Sequence, residues 1–250
     1  MSVLLVLSFP LATGAGPMDA ALSATEAPDT LRAAFTVEMT SDKASRLLRY
    51  DPRLPEAERW QLQEAYGEDS ALDEAAAAWG AEVAPDGRLF PDDLRASLGP
   101  RVEVKDFGAG WRLGFNHAPS ANDTALDVWA SQKLSAEAWL EPQQARFLRI
   151  DYHLPRPVRG PDGGRLTRFE QTYLLDSEPQ WGLSYVSQFR LAFEAKAGFQ
   201  TIRQSYTAII TEATFFFANE QAERDFVESR KKTATRLAGS VCRADRLCTD

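Results

Sequence analysis

The chain has 250 residues, with 36 Asp and Glu against 28 Lys and Arg, for a net charge of −8. That balance argues against a phosphate-backbone binder, which needs clustered Lys and Arg. The length suffices to bury a core without a metal or disulfide staple, and an apolar content of 44% is ordinary for a globular protein.

The N-terminus, "MSVLLVLSFPLATGAGPMDA", passes from an apolar run into small residues. This is the pattern of a secretory signal cut after Ala15 or a few residues later, although no Lys or Arg precedes the run. The run is too short to span a bilayer, and no Cys follows it to carry a lipid anchor. Residues 1–24 are read as signal peptide and leader, and 25–238 as a single domain.

From Thr30, Leu31, Ala33, Phe35, Val37 and Met39 alternate with polar or small residues. After Ser41-Asp42-Lys43 a second run ends at Tyr50, so the period predicts a hairpin. Asp51-Pro52 stops it. The segment 55–98 changes character and is read as a helical insertion, rich in Ala, Glu and Gln. Trp60, Leu62 and Tyr66, then Leu72, Ala76 and Trp79, supply its apolar stripes, with Gly67 dividing two helices. Between Pro55 and Ser97 lie eleven acids against three bases, which accounts for the whole net charge. The segment is either a solvated insertion, or a docking face for a basic partner or a repulsive face toward anionic lipid.

Strands then follow one another. A pair turns around Gly108-Ala109-Gly110, and "LDVWASQKLSAEAWLEP" and "ARFLRIDYHLPRP" form another. In the second of these, Leu148, Ile150, Tyr152 and Leu154 share a face opposite Arg149, Asp151 and His153. "RLTRFEQTYLLD", "LSYVSQFRLAFEAKAG" and "FQTIRQSYTAIITEATFFF" complete the series, and in the middle one Leu183, Tyr185, Phe189, Leu191 and Phe193 fall on one side. A closing helix begins at Asn219. Consecutive strands with short turns mean an antiparallel meander. The fold class is α+β, mainly antiparallel β: a curved meander or unclosed β-barrel (half-barrel) with covering helices. A closed lipocalin-like barrel would need less helix.

The chain ends in "SVCRADRLCTD", and residues 239–250 are read as a cysteine loop. Five residues separate Cys242 from Cys248, more than a redox motif has, and the two histidines, His117 and His153, lie far off in sequence. A small disulfide-closed loop is the economical reading in an oxidising compartment; two free thiols are the alternative in the cytosol.

The order of elements resembles the LolA/LolB-type lipoprotein carriers of the bacterial envelope. "FTVEMTSDKASRLLRYDPRLPEAERWQL" and "LSAEAWLEPQQARFLRIDYHLPRPVR" are similar to segments of proteobacterial envelope proteins of that shape. The resemblance covers roughly Leu31 to Phe217. It implies an unclosed barrel with a helical lid, an apolar hollow for an acyl chain and a periplasmic location. It assigns a role to no single residue.

Candidate chemistry is sparse. No phosphate loop, nucleophile elbow or H-E-x-x-H is present. Arg149, Asp151 and His153 make a polar row on one strand, read as a solvent face. His117 lies in a loop with Asn116, Asn122 and Asp123 that lacks the ordered acidic spacing of a calcium site. Glu137 and Glu141 flank Trp139 on one strand, without the opposing geometry of a glycosidase pair. The candidate ligand-cavity residues are Trp139, Tyr152, Tyr173, Tyr185, Phe189 and Phe193; a packed core has the same alternation. No catalytic residue, metal or cofactor is expected. The chain is read as non-enzymatic, with a lipid or acylated protein as ligand. The alternative is an envelope structural or interaction module with a filled core, docking a partner protein through its acidic insertion. Nucleic acid and an integral membrane span are not expected.

Overall fold

The structure, a computed structural model, describes residues 16–91, 94–99, 101–118, 128–129, 132–160 and 163–232. In chain order the elements are α1 (Pro17–Thr25), β1 (Leu31–Thr40), β2 (Ser45–Tyr50), β3 (Trp60–Tyr66), α2 (Ser70–Gly80), a 3-10 turn (Pro85–Leu89) and α3 (Leu94–Ser97). Then come β4 (Val102–Asp106), β5 (Trp111–Asn116), β6 (Ser135–Glu141), β7 (Arg146–His153), β8 (Val158–Arg159), β9 (Arg165–Glu178), β10 (Leu183–Ala197) and β11 (Gln200–Phe217). Residues 220–232 are helical.

All strands pair antiparallel in one sheet of order β3-β2-β1-β11-β10-β9-β7-β6-β5-β4, with β8 added to β9. β3 and β4 are free edges that do not meet, so the sheet is curved but unclosed, as the alternation of the sequence predicts. The chain leaves the sheet at one edge and re-enters at the other. The α2 to α3 segment therefore crosses the inner face.

That inner face carries two apolar clusters. Leu31, Ala33, Phe35, Val37 and Met39 of β1 are each 5% exposed or less and pack with β10 and β11 beneath α2 and the 3-10 turn. Leu113, Phe115, Ala138, Leu140, Phe147 and Ile150 form the second cluster, which includes Ala21 and Leu22 of α1 and Leu94 and Leu98 at α3. α2 buries Leu72, Ala75, Ala76 and Trp79, one helical stripe. Its N-cap Asp69 accepts hydrogen bonds from the Ala71 and Leu72 amides at 3.1 and 3.4 Å, a cap worth about 1 kcal/mol.

Several expectations need correction. The fold begins before residue 25: α1 buries Ala21, Leu22 and Thr25 at 0%, 2% and 0% exposure, so about a third of the expected leader lies in a helix packed on the core. The first part of the expected 55–98 helical insertion is strand β3. Its Gln, Glu and Ala favour helix, but the ladder to β2 and the contact of Trp60 with Phe35 and Tyr50 override propensity. Gly67 thus divides a strand from a helix. It sits at φ +69°, where a Cβ would stand 2.1 Å from the Lys43 carbonyl oxygen.

β-bulges also shift the expected faces. The β6–β7 register slips between Trp139 and Leu140, so Phe147 turns inward at 1% exposure and Leu148 outward at 38%. On β10 the register slips between Val186 and Gln188, and Leu183, Ser184 and Val186 are all buried. The unbroken alternation read from Leu183 to Phe193 therefore holds only beyond Ser187.

One part-buried ion pair pins the crossing segment to β1, the third strand from the β3 edge. Arg32 on β1 donates from Nε and Nη2 to Asp86 at 2.7 and 2.9 Å, and the Ala33 amide donates to the same carboxylate at 3.0 Å. Asp86 is 2% exposed, and its hydrogen bond holds the Arg32 guanidinium above its usual pKa. Removing one partner of such a pair strands the other. Asp86→Ala is expected to lower the unfolding free energy by about 3 kcal/mol, measured by urea titration. A loss within experimental error would show that the pin carries no load.

Candidate functional site

An aromatic row crosses the inner face diagonally. Phe115 on β5 meets Tyr152 on β7 at 6.4 Å, and Tyr152 meets Tyr173 on β9 at 6.2 Å. Tyr173 meets Phe189 on β10 at 5.2 Å, which in turn meets Tyr206 on β11 at 5.7 Å. Trp79 of α2 descends on the row edge-on to Phe189 at 6.1 Å, and its indole Nε1 donates to the Tyr206 hydroxyl at 3.3 Å. The Arg88 guanidinium lies over the outer side of that indole at 4.9 Å. Trp79 is thus held between a cation and the aromatic floor, and is 4% exposed.

The middle of the row differs from its ends. Tyr152 and Tyr173 are only half-buried, and Tyr173 packs against both apolar clusters. They lie where the cover built from α2 gives way to the cover built from α1 and α3. His117 stands edge-on to Tyr152 at 5.2 Å. Its Nδ1 is buried with no hydrogen-bond partner among the described residues. The Gln171 side-chain amide donates to the Tyr173 hydroxyl. The floor of the seam is therefore aromatic, half-covered and edged by three polar groups, a composition that suits an apolar chain with a polar end.

The six sequence candidates separate. Tyr152, Tyr173 and Phe189 come together in the row. Tyr185 belongs to a second aromatic group, 5.0 Å from Phe215, which meets Phe90 at 5.8 Å; burial raises the Tyr185 pKa. Phe193 lies further along β10, in register with Phe169 and Gln204. Trp139 is a correction: Ala138 and Leu140 on either side are buried, so Trp139 faces outward with Glu137, against Phe107 at 5.7 Å. Sequence reading missed Trp79, taken as one member of a stripe, and Tyr206, although Tyr206, Ala208 and Ile210 alternate as inward residues should.

The polar candidates are engaged with one another on the outer face. Arg149 forms a two-point ion pair with Asp151 at 2.6 and 2.8 Å, and Thr172 donates to the same carboxylate at 2.7 Å. Glu141 pairs with Arg146 at 2.8 Å and Glu137 lies 3.8 Å from Arg112. His153 is in register with Ser135 and Glu170. No group of three or more His, Cys, Asp or Glu suited to a metal occurs among the described residues. Asn122, Asp123, Cys242 and Cys248, with the loop they were read to form, lie outside the described residues. A depression of about 570 Å³ lined by Thr36, Arg49, Arg53, Gln63, Glu212 and Thr214 opens beside β1 and β11, lined mainly by polar side chains.

The acidic insertion is less free than its composition suggests. Asp73 pairs with the buried Arg46 at 2.7 Å, Glu82 with Arg88, Asp86 with Arg32, and Asp69 caps α2. Glu56, Glu58, Glu64, Glu68 and Glu74 remain exposed, while Asp92 and Asp93 lie outside the described residues.

No family model matches the chain, and no curated protein matches it. Among solved structures, one from Vibrio parahaemolyticus described as a "putative outer membrane lipoprotein-sorting protein domain" is similar, at 12% identity and a TM-score of 0.35, over 86% of this chain and 97% of that one. No helix among the described residues is long and apolar enough to cross a membrane.

Two measurements test the Trp79 contact. Trp79→Ala is expected to cost about 3–5 kcal/mol in urea unfolding, the range for emptying a large aromatic site. A cost below 1 kcal/mol would mean that α2 is not seated on the row. The second concerns pH. Burial raises the Tyr206 pKa above the ordinary 10.0. In the unfolded chain this phenol ionises first, so the folded state binds more protons and stability falls as pH rises past about 10. Tyr206→Phe is expected to flatten that alkaline decline; an unchanged decline would assign it to other groups.

Proposed function

We propose that the chain is an exported, non-catalytic carrier of the LolA/LolB-like type that holds an acyl chain of a lipid or acylated protein. The chain would lie along the Tyr152–Tyr173–Phe189 row, with α2 and Trp79 as the part of the cover that yields. The observation that carries this reading is the half-buried middle of the row. Two tyrosines are partly uncovered between two cover segments, beside an imidazole nitrogen that is buried without a partner among the described residues, and a ligand would account for both. An acyl chain would bury the rings. Its polar end would find His117 Nδ1, Gln171 and the tyrosine hydroxyls. An envelope location is part of the proposal. Cleavage after Ala15 leaves α1 whole, whereas cleavage beyond Met18 would cut into the helix that buries Ala21 and Leu22.

A second reading, a module with a filled core that docks a protein partner, is favoured by the close seating of Trp79 on Phe189. One experiment separates the two. Protein purified without detergent is weighed by native mass spectrometry, then delipidated and titrated with a fluorescent fatty acid. The carrier reading expects a stoichiometric bound lipid or a saturable titration. Tyr173→Asp should weaken the titration at least about tenfold, because a carboxylate on the floor must be desolvated, and Trp139→Ser on the outer face should leave it unchanged. A clean apo mass with no saturable binding would sink the carrier and leave the filled core.

A further inference from the structure

The β9–β10–β11 blade runs past the helical cover, and its free end has a character unlike the rest of this acidic protein. α2 reaches β11 as far as Gln204, whose side chain donates to the Ala71 carbonyl at 3.1 Å. Beyond that point the strands continue to a two-residue turn, Gly198-Phe199. Gly198 takes φ +61°, as the first position of a type II′ hairpin turn requires. Phe199 follows it and is fully exposed, at 110%. Two-residue loops of this kind ordinarily carry Asn, Asp or Ser there.

The two faces of the blade end are chemically opposite. On the inner face Leu166, Ala195 and Ile202 form one cross-strand row, and Phe169 and Phe193 stand in register in the next. Ile202 is 51% exposed. On the outer face Arg159, Arg165 and Lys196 stand directly opposite one another across β8, β9 and β10. Like charges placed so oppose strand pairing. In the next row Arg168 and Arg203 flank Glu194. Glu194 accepts from Arg203 at 2.8 Å, and Glu170 from Arg168 at 2.8 Å. Arg159, Arg165 and Lys196 make no ion pair among the described residues.

We propose that this blade end is a docking surface for an anionic lipid bilayer, with Phe199 and Ile202 entering the interface and Arg159, Arg165 and Lys196 meeting lipid phosphates. A bilayer accounts for both halves of the pattern: exposed apolar side chains at an edge and a cationic row just behind them. A DNA duplex, with its bases stacked inside, would use the cations and leave Phe199 and Ile202 in water. The exposed acidic side chains Glu68 and Glu74, at and on α2, and Glu56 and Glu58, between β2 and β3, would be repelled by the same lipids, so the blade end is the part of the surface that faces them. The inference stands apart from the acyl site and survives without it.

Flotation with vesicles tests it on the full chain. The protein should rise with vesicles of phosphatidylcholine mixed with phosphatidylglycerol and stay down with phosphatidylcholine alone, and added salt should release it. Arg165→Ala should weaken the association about fivefold, the value of one cation near an anionic surface. Phe199→Ser should weaken it about tenfold. Leu62→Ser and Tyr66→Ser, exposed apolar positions on β3, should change nothing. All four positions are exposed, and circular dichroism identical to the parent confirms that each variant folds. Equal flotation with both vesicle types, no flotation, or loss with the β3 variants alone would overturn the proposal. So would tighter binding to a DNA duplex than to the anionic vesicles. Phe199→Ser should leave fatty-acid titration in free solution unchanged, so failure of docking and failure of the acyl site are read separately.

Discussion

The ladder between β1 and β11 is the constraint on which the architecture depends. The first strand of the sheet and the last are neighbours, paired from Leu31 opposite Phe217 to Thr40 opposite Thr207. On one side of that seam lie β2 and β3, built before the crossing segment; on the other lie the strands built after it. Ten strands at about 4.8 Å span roughly 43 Å if flat, and the residues between β3 and β4 must bridge whatever remains after the sheet curls. They do so over the inner face, where Asp86 fastens them to Arg32 on β1, an interior strand. The cover is therefore a consequence of strand order: a chain that exits at one edge and re-enters at the other has to lay a strap across the hollow.

How the strap is secured suggests which part moves. The α1 half is tied from two sides. Arg95 of α3 reaches Asp19, Ser23 and Glu26, and Arg230 from the last helical segment donates to the Ser23 carbonyl at 3.0 Å. Burial lowers the Arg230 pKa, the mark of a cation drawn in to make that contact. The α2 half has Asp73 on Arg46, the Gln204 amide on the Ala71 carbonyl and the Trp79 wedge. At its C-terminal end Gly80 lies flat against the Trp60 indole, where a Cβ would come within 2.3 Å. Absence of a side chain lets α2 press on β3, an edge strand with one neighbour. The α2 half therefore rests partly on an edge strand, and the α1 half on interior strands.

Much of the fold was legible because sheet periodicity is blunt. β1 alternates through Leu31, Phe35 and Met39, and its burial follows except at Ala34, which is buried as well. The long strands β9 to β11 were placed by the same rule. Reading failed where one residue inserts or where a partner overrides composition. A bulge beside Leu140 turns Leu148 outward, and nothing in "ARFLRIDYH" announces it. Trp139 looked like a cavity residue by type, yet its neighbours Ala138 and Leu140 own the inner face. "WQLQEAY" is helical by propensity, and only its β2 partner makes it a strand. The candidate site was half legible: Tyr152, Tyr173 and Phe189 were named, but Trp79 reaches them from more than seventy residues away, a proximity no local pattern carries.

Charge follows the same division between composition and placement. The eleven acids of residues 55–97 look like a surface field when counted. In place, several are structural: Asp69 caps a helix, and Asp73, Glu82 and Asp86 each hold an arginine that would otherwise sit against apolar side chains with no counter-ion. Arg46 is buried and Arg32 and Arg88 are partly so, so several of the insertion's acids are spoken for by arginines of β1, β2 and the 3-10 turn. At the blade end the opposite happens. Arg159, Arg165 and Lys196 are set in register and form no ion pair among the described residues; the neighbouring acid, Glu194, is paired with Arg203. A sequence with a net charge of −8 that leaves its like charges unpaired at one end has separated its surface electrically. That separation gives the molecule an orientation in any external field of fixed charge, with the strap turned away and the hairpin turned toward the anionic side.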